Sequence, residues 1–190
     1  LMLESGGVRL HEANAGLIAV SEVMRAILDV RAAGIPVVVL IGGSNGCFGG
    51  MGITARCVNT IIMSEEGRLA MSGPEVIETA HGVEEFDSRD RALVWRTTGG
   101  KHRYLMGDCQ ALVSDDINAF RKAALVAIDE ARATHAGLTL QDLEAEQAML
   151  KHRLETFGGE TEPMHVWKAM GVPDPAALPD RPVVCFGLPG

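Results

Sequence analysis

At 190 residues, with 47% hydrophobic residues and a formal net charge of −8, the chain suits one globular domain with an ample core, and it has no basic cluster to bind nucleic acid or an anionic membrane. Cys47, Cys57, Cys109 and Cys185 are scattered without CxxC or Cys/His spacing, which reads as buried reduced thiols rather than a disulfide framework or a zinc site. No apolar run approaches a membrane span and no signal peptide is read, so a cytoplasmic protein is expected.

In chain order, Leu1-Met2-Leu3 reads as the end of a strand. A strand is not stable alone, so upstream residues are expected and the chain reads as N-terminally truncated. Glu4 to Arg9 is a first loop containing Gly6-Gly7. Leu10, Ala13, Leu17, Val20, Met24, Ile27 and Leu28 recur at three- and four-residue steps, which predicts one helix from Leu10 to Arg31, ended by Gly34 and Pro36. Pro36 to Leu40 is a β-branched run and predicts a buried strand. The glycine-dense stretch Ile41 to Gly52 follows, then a short helix over Ile53 to Val58. Strand, glycine loop and helix, twice over, predict an α/β fold with parallel pairing. Both loops then leave strand C-terminal ends, where open α/β folds gather ligands.

Thr60 to Met63 and Leu69 to Met71 read as strands around a Glu65 to Arg68 turn. Ser72-Gly73-Pro74-Glu75 reads as a helix start, with Ser72 as cap and Pro74 in the first turn. Arg91 to Trp95 reads as helix, Thr97 to Lys101 as loop, and His102 to Met106 and Gln110 to Val113 as extended pieces. Three helices remain. Asp116 to Thr134 carries Ile117, Phe120, Ala124, Ile128 and Ala131 on one face, Thr139 to Phe157 opens with a Thr139/Asp142 cap, and Pro163 to Met170 is short. Pro173 to Pro182 is irregular, and Val183 to Gly187 is a last apolar run.

Gly42-Gly43-Ser44-Asn45-Gly46 fits the G-x-S-x-G nucleophile elbow, with Asp87 and His102 downstream. In an elbow the helix starts right after the serine, whereas Cys47-Phe48-Gly49-Gly50 intervene here, which argues against Ser44 as nucleophile. No Lys-Ser/Thr follows the glycines as in a P-loop, and no G-x-G-x-x-G opens the helix after the first strand. Gly6-Gly7 alone fits a plain turn, and Gly49-Gly50 alone fits close helix packing. At equivalent places in two consecutive units, they point to backbone amides presented to an oxyanion. His11 is a general-acid candidate beside Glu12, and Cys47 reads as a packing thiol more than a nucleophile.

Ser5-Gly6-Gly7-Val8-Arg9-Leu10-His11-Glu12, Gly46-Cys47-Phe48-Gly49-Gly50 and Ser72-Gly73-Pro74-Glu75-Val76-Ile77-Glu78 stand in the order and spacing of a known family. They resemble the carboxyltransferase subunits of the crotonase-like superfamily, which act on acyl-CoA or acyl-carrier-protein thioesters. Residues 85–103 resemble the β subunit of biotin-independent malonate decarboxylase rather than that of acetyl-CoA carboxylase. The resemblance covers residues 1 to about 135. It implies a crotonase-like ββα spiral over 1–135, with extra helices and a proline-rich tail over 136–190.

The resemblance also implies an oxyanion hole made by backbone amides, one from Gly7 or Val8 and one from Gly49 or Gly50. Gly6, Arg9, Cys47, Phe48, Gly73 and Pro74 would contact substrate. The implied reaction converts a malonyl thioester to an acetyl thioester through an enolate, with no metal and no cofactor bound by this chain. The substrate rides on the phosphopantetheine-type arm of an acyl carrier protein, and a second carboxyltransferase-like (γ) subunit completes the site. An acetyl-CoA carboxylase carboxyltransferase β subunit, a non-catalytic scaffold for the partner subunit and a serine hydrolase remain as alternatives.

Overall fold

The computed structural model describes residues 1–5, 10–134 and 137–183. The apolar run after Val183 lies outside them. Three parallel strands, β1 (Val38–Ile41), β2 (Thr60–Ser64) and β3 (Ala111–Val113), form a sheet in the order β1-β2-β3. Leu40 faces Ile62 in register, and Ile62 faces Ala111. The first residues extend this sheet: Met2 bridges Leu40 in parallel, and the Leu3 N–H donates to the Leu40 carbonyl at 3.0 Å.

Parallel strands cannot be joined by tight turns, so their connections carry helices. The helices are α1 (Asn14–Ala32), α2 (Gly50–Ala55), α3 (Pro74–His81), α4 (Arg91–Thr98), α5 (Gly100–Leu105), α6 (Ile117–Ala133), α7 (Leu140–Phe157) and α8 (Pro163–Ala169). Strand side chains alternate between two buried faces, as a parallel sheet covered on both sides requires. Val39, Ile41, Ile61, Met63 and Leu112 pack with Ile27 of α1, Ala55 of α2 and Trp167 of α8. Val38, Ile62 and Ala111 pack against Ala127 of α6, joined by Phe120 and Ile128. Trp167 and Leu178, beyond the boundary expected near residue 135, are fully buried in the first of these clusters.

Four local expectations are corrected. The predicted helix from Leu10 is a 3-10 turn (Leu10–Glu12) followed by α1, broken at Ala13, a non-glycine residue with φ 42°. Of its expected stripe, Val20, Met24 and Ile27 turn inward while Leu17, at the helix's N-terminal end, is 68% exposed; the same line continues to Arg31, whose guanidinium donates to the Cys57 carbonyl at 2.7 Å. The second short helix begins at Gly50 instead of Ile53, since the chain reverses at Gly49. Gly73, not Ser72, precedes α3, with no side-chain cap. His102 to Leu105 is helix α5 rather than strand. A Cβ on Gly100 would stand 2.6 Å from the Ser64 carbonyl, so glycine lets α5 start directly against the end of β2 within the crossover to β3.

Candidate functional site

Beyond Ile41 the chain leaves the sheet through a loop with three left-handed glycines, Gly43 (φ 75°), Gly46 (φ 77°) and Gly49 (φ 63°). At Gly46 both space and backbone demand glycine, because a Cβ there would stand 2.7 Å from the Phe48 ring. Gly49 differs: a Cβ on it would meet no atom of the described residues within 4 Å, so positive φ, not crowding by them, is what favours glycine there.

Hydrogen bonds centred on the main chain tie two separate stretches to this loop. Ser5 donates its N–H to the Gly46 carbonyl at 2.7 Å. The Ser5 hydroxyl accepts from the Phe48 N–H (3.3 Å) and donates to the Phe48 carbonyl (3.0 Å). On the other side runs the extended segment 68–71. Cys47 N–H donates to the Arg68 carbonyl at 2.8 Å, Ala70 N–H to the Cys47 carbonyl at 3.3 Å, and Gly49 N–H to the Met71 carbonyl at 2.9 Å. Glycine again permits the approach: a Cβ on Gly52 of α2 would stand 2.7 Å from the Ala70 carbonyl. The Phe48 ring lies 3.9 Å from where a Cβ on Gly73 would stand, and Pro74 is the buried first residue of α3. The second and third motif stretches therefore meet around Phe48, and the first is pinned to it through Ser5.

Of the expected amides, that of Gly49 is taken by Met71. The Gly50 N–H, the first of α2, bonds to no described residue; the helix ladder opens with Ile53 N–H on the Gly49 carbonyl at 3.2 Å. Such first-turn donors have no partner inside a helix and are open to a ligand. Gly6, Gly7, Val8 and Arg9 lie outside the described residues, between the pinned Ser5 and the 3-10 turn at Leu10.

The side-chain alternatives fare differently. Cys47 is fully buried and burial pushes its thiol up to about 11, so the sulfur packs in the core instead of touching substrate. Ser44 is exposed on the loop, and its carbonyl accepts from Arg68. His102 Nδ1 accepts from Trp167 Nε1 at 3.1 Å. Burial first, then Arg103 and Arg153, push this histidine down to about 4, with Asp108 opposing. No bond joins it to Ser44 among the described residues. No group of three or more His, Cys, Asp or Glu among them could hold a metal ion, and no described helix is long and apolar enough to cross a membrane. Sequence reasoning gave Arg68 and Trp95 no site role: Arg68 falls in an expected turn, and Trp95 lies in the stretch 85–103 read only for its resemblance; the ring reaches the loop through Arg68.

No family model matches the chain. It is 53% identical over 130 residues to the malonyl-S-ACP:biotin-protein carboxyltransferase MADC of Malonomonas rubra, a match covering 68% of this chain and 41% of that protein. A chain of a Pseudomonas malonate decarboxylase hetero-tetramer in complex with malonate superposes with a TM-score of 0.74 at 36% identity, covering 95% of this chain and 59% of that one. A chain of the Pseudomonas MdcD-MdcE hetero-dimer gives 0.62 at 36% identity, covering 80% and 60%. The transcarboxylase 12S core, at 22% identity and a TM-score of 0.53, shares the fold over 65% of this chain. The chain thus spans about two fifths of the Malonomonas relative and about three fifths of the two Pseudomonas chains. In sequence it is similar to malonate decarboxylase and carboxyltransferase subunits, and its fold is the crotonase-like α/β fold.

Proposed function

We propose that the chain is the β subunit of a cytoplasmic malonate decarboxylase, acting on a malonyl group carried as a thioester on the phosphopantetheine-type arm of an acyl carrier protein. The observation that carries this reading is the Gly50 N–H, which no described residue claims, set at the start of α2 where the reversal at Gly49 has no described atom against it.

Breaking the bond to the carboxyl group leaves an electron pair on the α-carbon, which delocalises onto the thioester oxygen as an enolate. An amide aimed at that oxygen meets little charge in the substrate and much in the transition state, so it lowers the barrier rather than merely tightening binding. Gly50 supplies one such amide and Gly7 or Val8 the other, with Gly6, Arg9, Phe48, Gly73 and Pro74 around the acyl arm. A second carboxyltransferase-like subunit closes the site, and the chain itself binds no cofactor. Similarity to chains crystallised as a hetero-tetramer and a hetero-dimer supports that partner. The carboxyl group leaves as CO₂ without biotin. The name of the 53% relative favours a second reading, transfer to a biotin protein.

Replacing Gly50 by Pro removes the N–H donor and sets a ring methylene where the hydrogen pointed, at a helix position that favours proline. A Cβ at Gly50 would stand 2.9 Å from Val20 Cγ2, so the change is made with Val20→Ala, and Gly50→Ala in the same background is the control that keeps the N–H. In the complex co-expressed with its partner and carrier, the proline variant should lose about 10²- to 10³-fold in kcat and the alanine control little. Equal rates for the two would overturn the reading. Turnover without any biotin-carrying protein supports release of CO₂, and strict dependence on one supports transfer.

A further inference from the structure

Arg68 lies between β2 and α3, and its half-buried side chain touches the glycine loop at several points. Its guanidinium donates to the Ser44 carbonyl near the tip of the loop. Its Cζ stands 4.7 Å from the centre of the Trp95 ring of α4 and 5.6 Å from that of Phe48. Its Cβ is 3.1 Å from where a Cβ on Gly46 would stand, and its own carbonyl holds the Cys47 N–H. Arg91 also lies on the Trp95 ring, at 4.6 Å, but it pairs with Glu66 at 2.8 Å. Among the described residues Arg68 has no ion pair, and its Nε is buried without a hydrogen-bond partner.

A half-buried guanidinium that has Glu75, Glu66 and Glu4 in its surroundings but pairs with none of them among the described residues gains little stability from its charge. It is a good device for geometry. A planar guanidinium laid on an indole face is fixed in plane and direction. From Ser44 to Gly50 the loop turns through two left-handed glycines, whose backbones have the widest conformational freedom and need an outside hold.

We propose that Arg68 is the positioning residue of the oxyanion loop: laid on Trp95, it holds the Ser44 carbonyl and so sets the Gly46–Gly50 backbone in the orientation that presents the Gly50 N–H. The proposal rests on the enolate reading above. In the assembled complex, Arg68→Met should lower kcat by about ten- to a hundredfold, as a small misplacement of a catalytic group does, with KM for the malonyl thioester unchanged. Amide exchange over residues 43–50 should quicken, and Arg68→Lys, which keeps charge and one donor, should recover part of the rate. Trp95→Leu should reduce kcat in the wild-type background but add nothing to Arg68→Met. If Arg68→Met does not assemble, Trp95→Leu alone takes its place with the same readouts.

Wild-type kcat in Arg68→Met overturns the proposal. So does a fall matched by the loss of folded complex with loop exchange unchanged, and so does a raised KM at unchanged kcat, which would make Arg68 a substrate-binding group. Loss of activity in the Gly50→Pro variant alongside an unaffected Arg68→Met variant sinks this proposal alone. A fully active Gly50→Pro variant sinks the enolate reading itself.

Discussion

The glycine-loop layer and helix α7 are held to the molecule by contrasting means. In the first, Ser5, Cys47, Phe48 and Gly49 are joined mostly backbone to backbone, at distances between 2.7 and 3.3 Å. Helix α7 has none of its side chains buried. It is latched by Arg153 to Asp108 at 3.0 Å and by Glu146 to Arg56 at 2.8 Å, while Leu140 and Leu154 stand 71% and 72% exposed. Main-chain ladders fix atoms whatever the side chains do, which suits the amide site proposed above. Side-chain latches fix an element only while each charge keeps its partner.

The contrast is sharpest to test at Asp108, whose carboxylate takes Arg103 and Arg153 at 3.0 Å each and has Arg56 at 3.7 Å. Burial alone would push this carboxyl up, but the three arginines hold it below its ordinary value. Asp108→Asn leaves three partly exposed arginines short of a counter-charge and should cost about 1.5–3 kcal/mol, seen as a fall in Tm. Hydrogen exchange should rise across α7 and stay slow in β1 and β2; equal loosening of both would erase the distinction drawn here.

A second latch, His102 to Trp167, should show in the pH dependence. The folded histidine titrates at about 4 against an ordinary value of 6.5, so between those values the unfolded chain binds more protons. Stability is therefore full above pH 6.5 and falls as the pH drops towards 4, by at most about 3 kcal/mol. His102→Gln should flatten that slope in acid-unfolding curves. A slope unchanged by the substitution would mean another group sets it.

On the ladder side, Ser5→Ala removes both hydroxyl bonds to Phe48 and should cost about 1–2 kcal/mol. Exchange should quicken at residues 46–50 without change in α7. The smallest effect is expected for Leu154→Gln, within about 0.5 kcal/mol by denaturant titration of the isolated chain, because that leucine is 72% exposed and contributes little buried surface there.

The strands were legible because Val38 to Leu40 and Thr60 to Met63 are β-branched or apolar runs bounded by turn residues. The capping box at Thr139 and Asp142 was legible because its residues lie three apart. The α5 segment was misread, since Tyr-Leu-Met in a short run favours a strand locally, while Gly100 lets the chain turn into a helix directly against the end of β2. In the site, the glycines marked where the backbone turns. Which amide stays open was not legible, because Met71, twenty-two residues beyond Gly49, is what claims the Gly49 N–H.

By itself the sequence determined the alternation of strand and helix, the glycine loops at strand ends and the likeness to a carboxyltransferase family, all carried by local pattern and short motifs. Tertiary structure alone decided that Met71 takes the Gly49 N–H while no described residue takes that of Gly50, that Cys47 faces the core, and that Arg68 reaches Ser44. Each depends on a partner far along the chain, and a hydrogen bond or a packed ring between distant segments leaves no periodic trace in either of them.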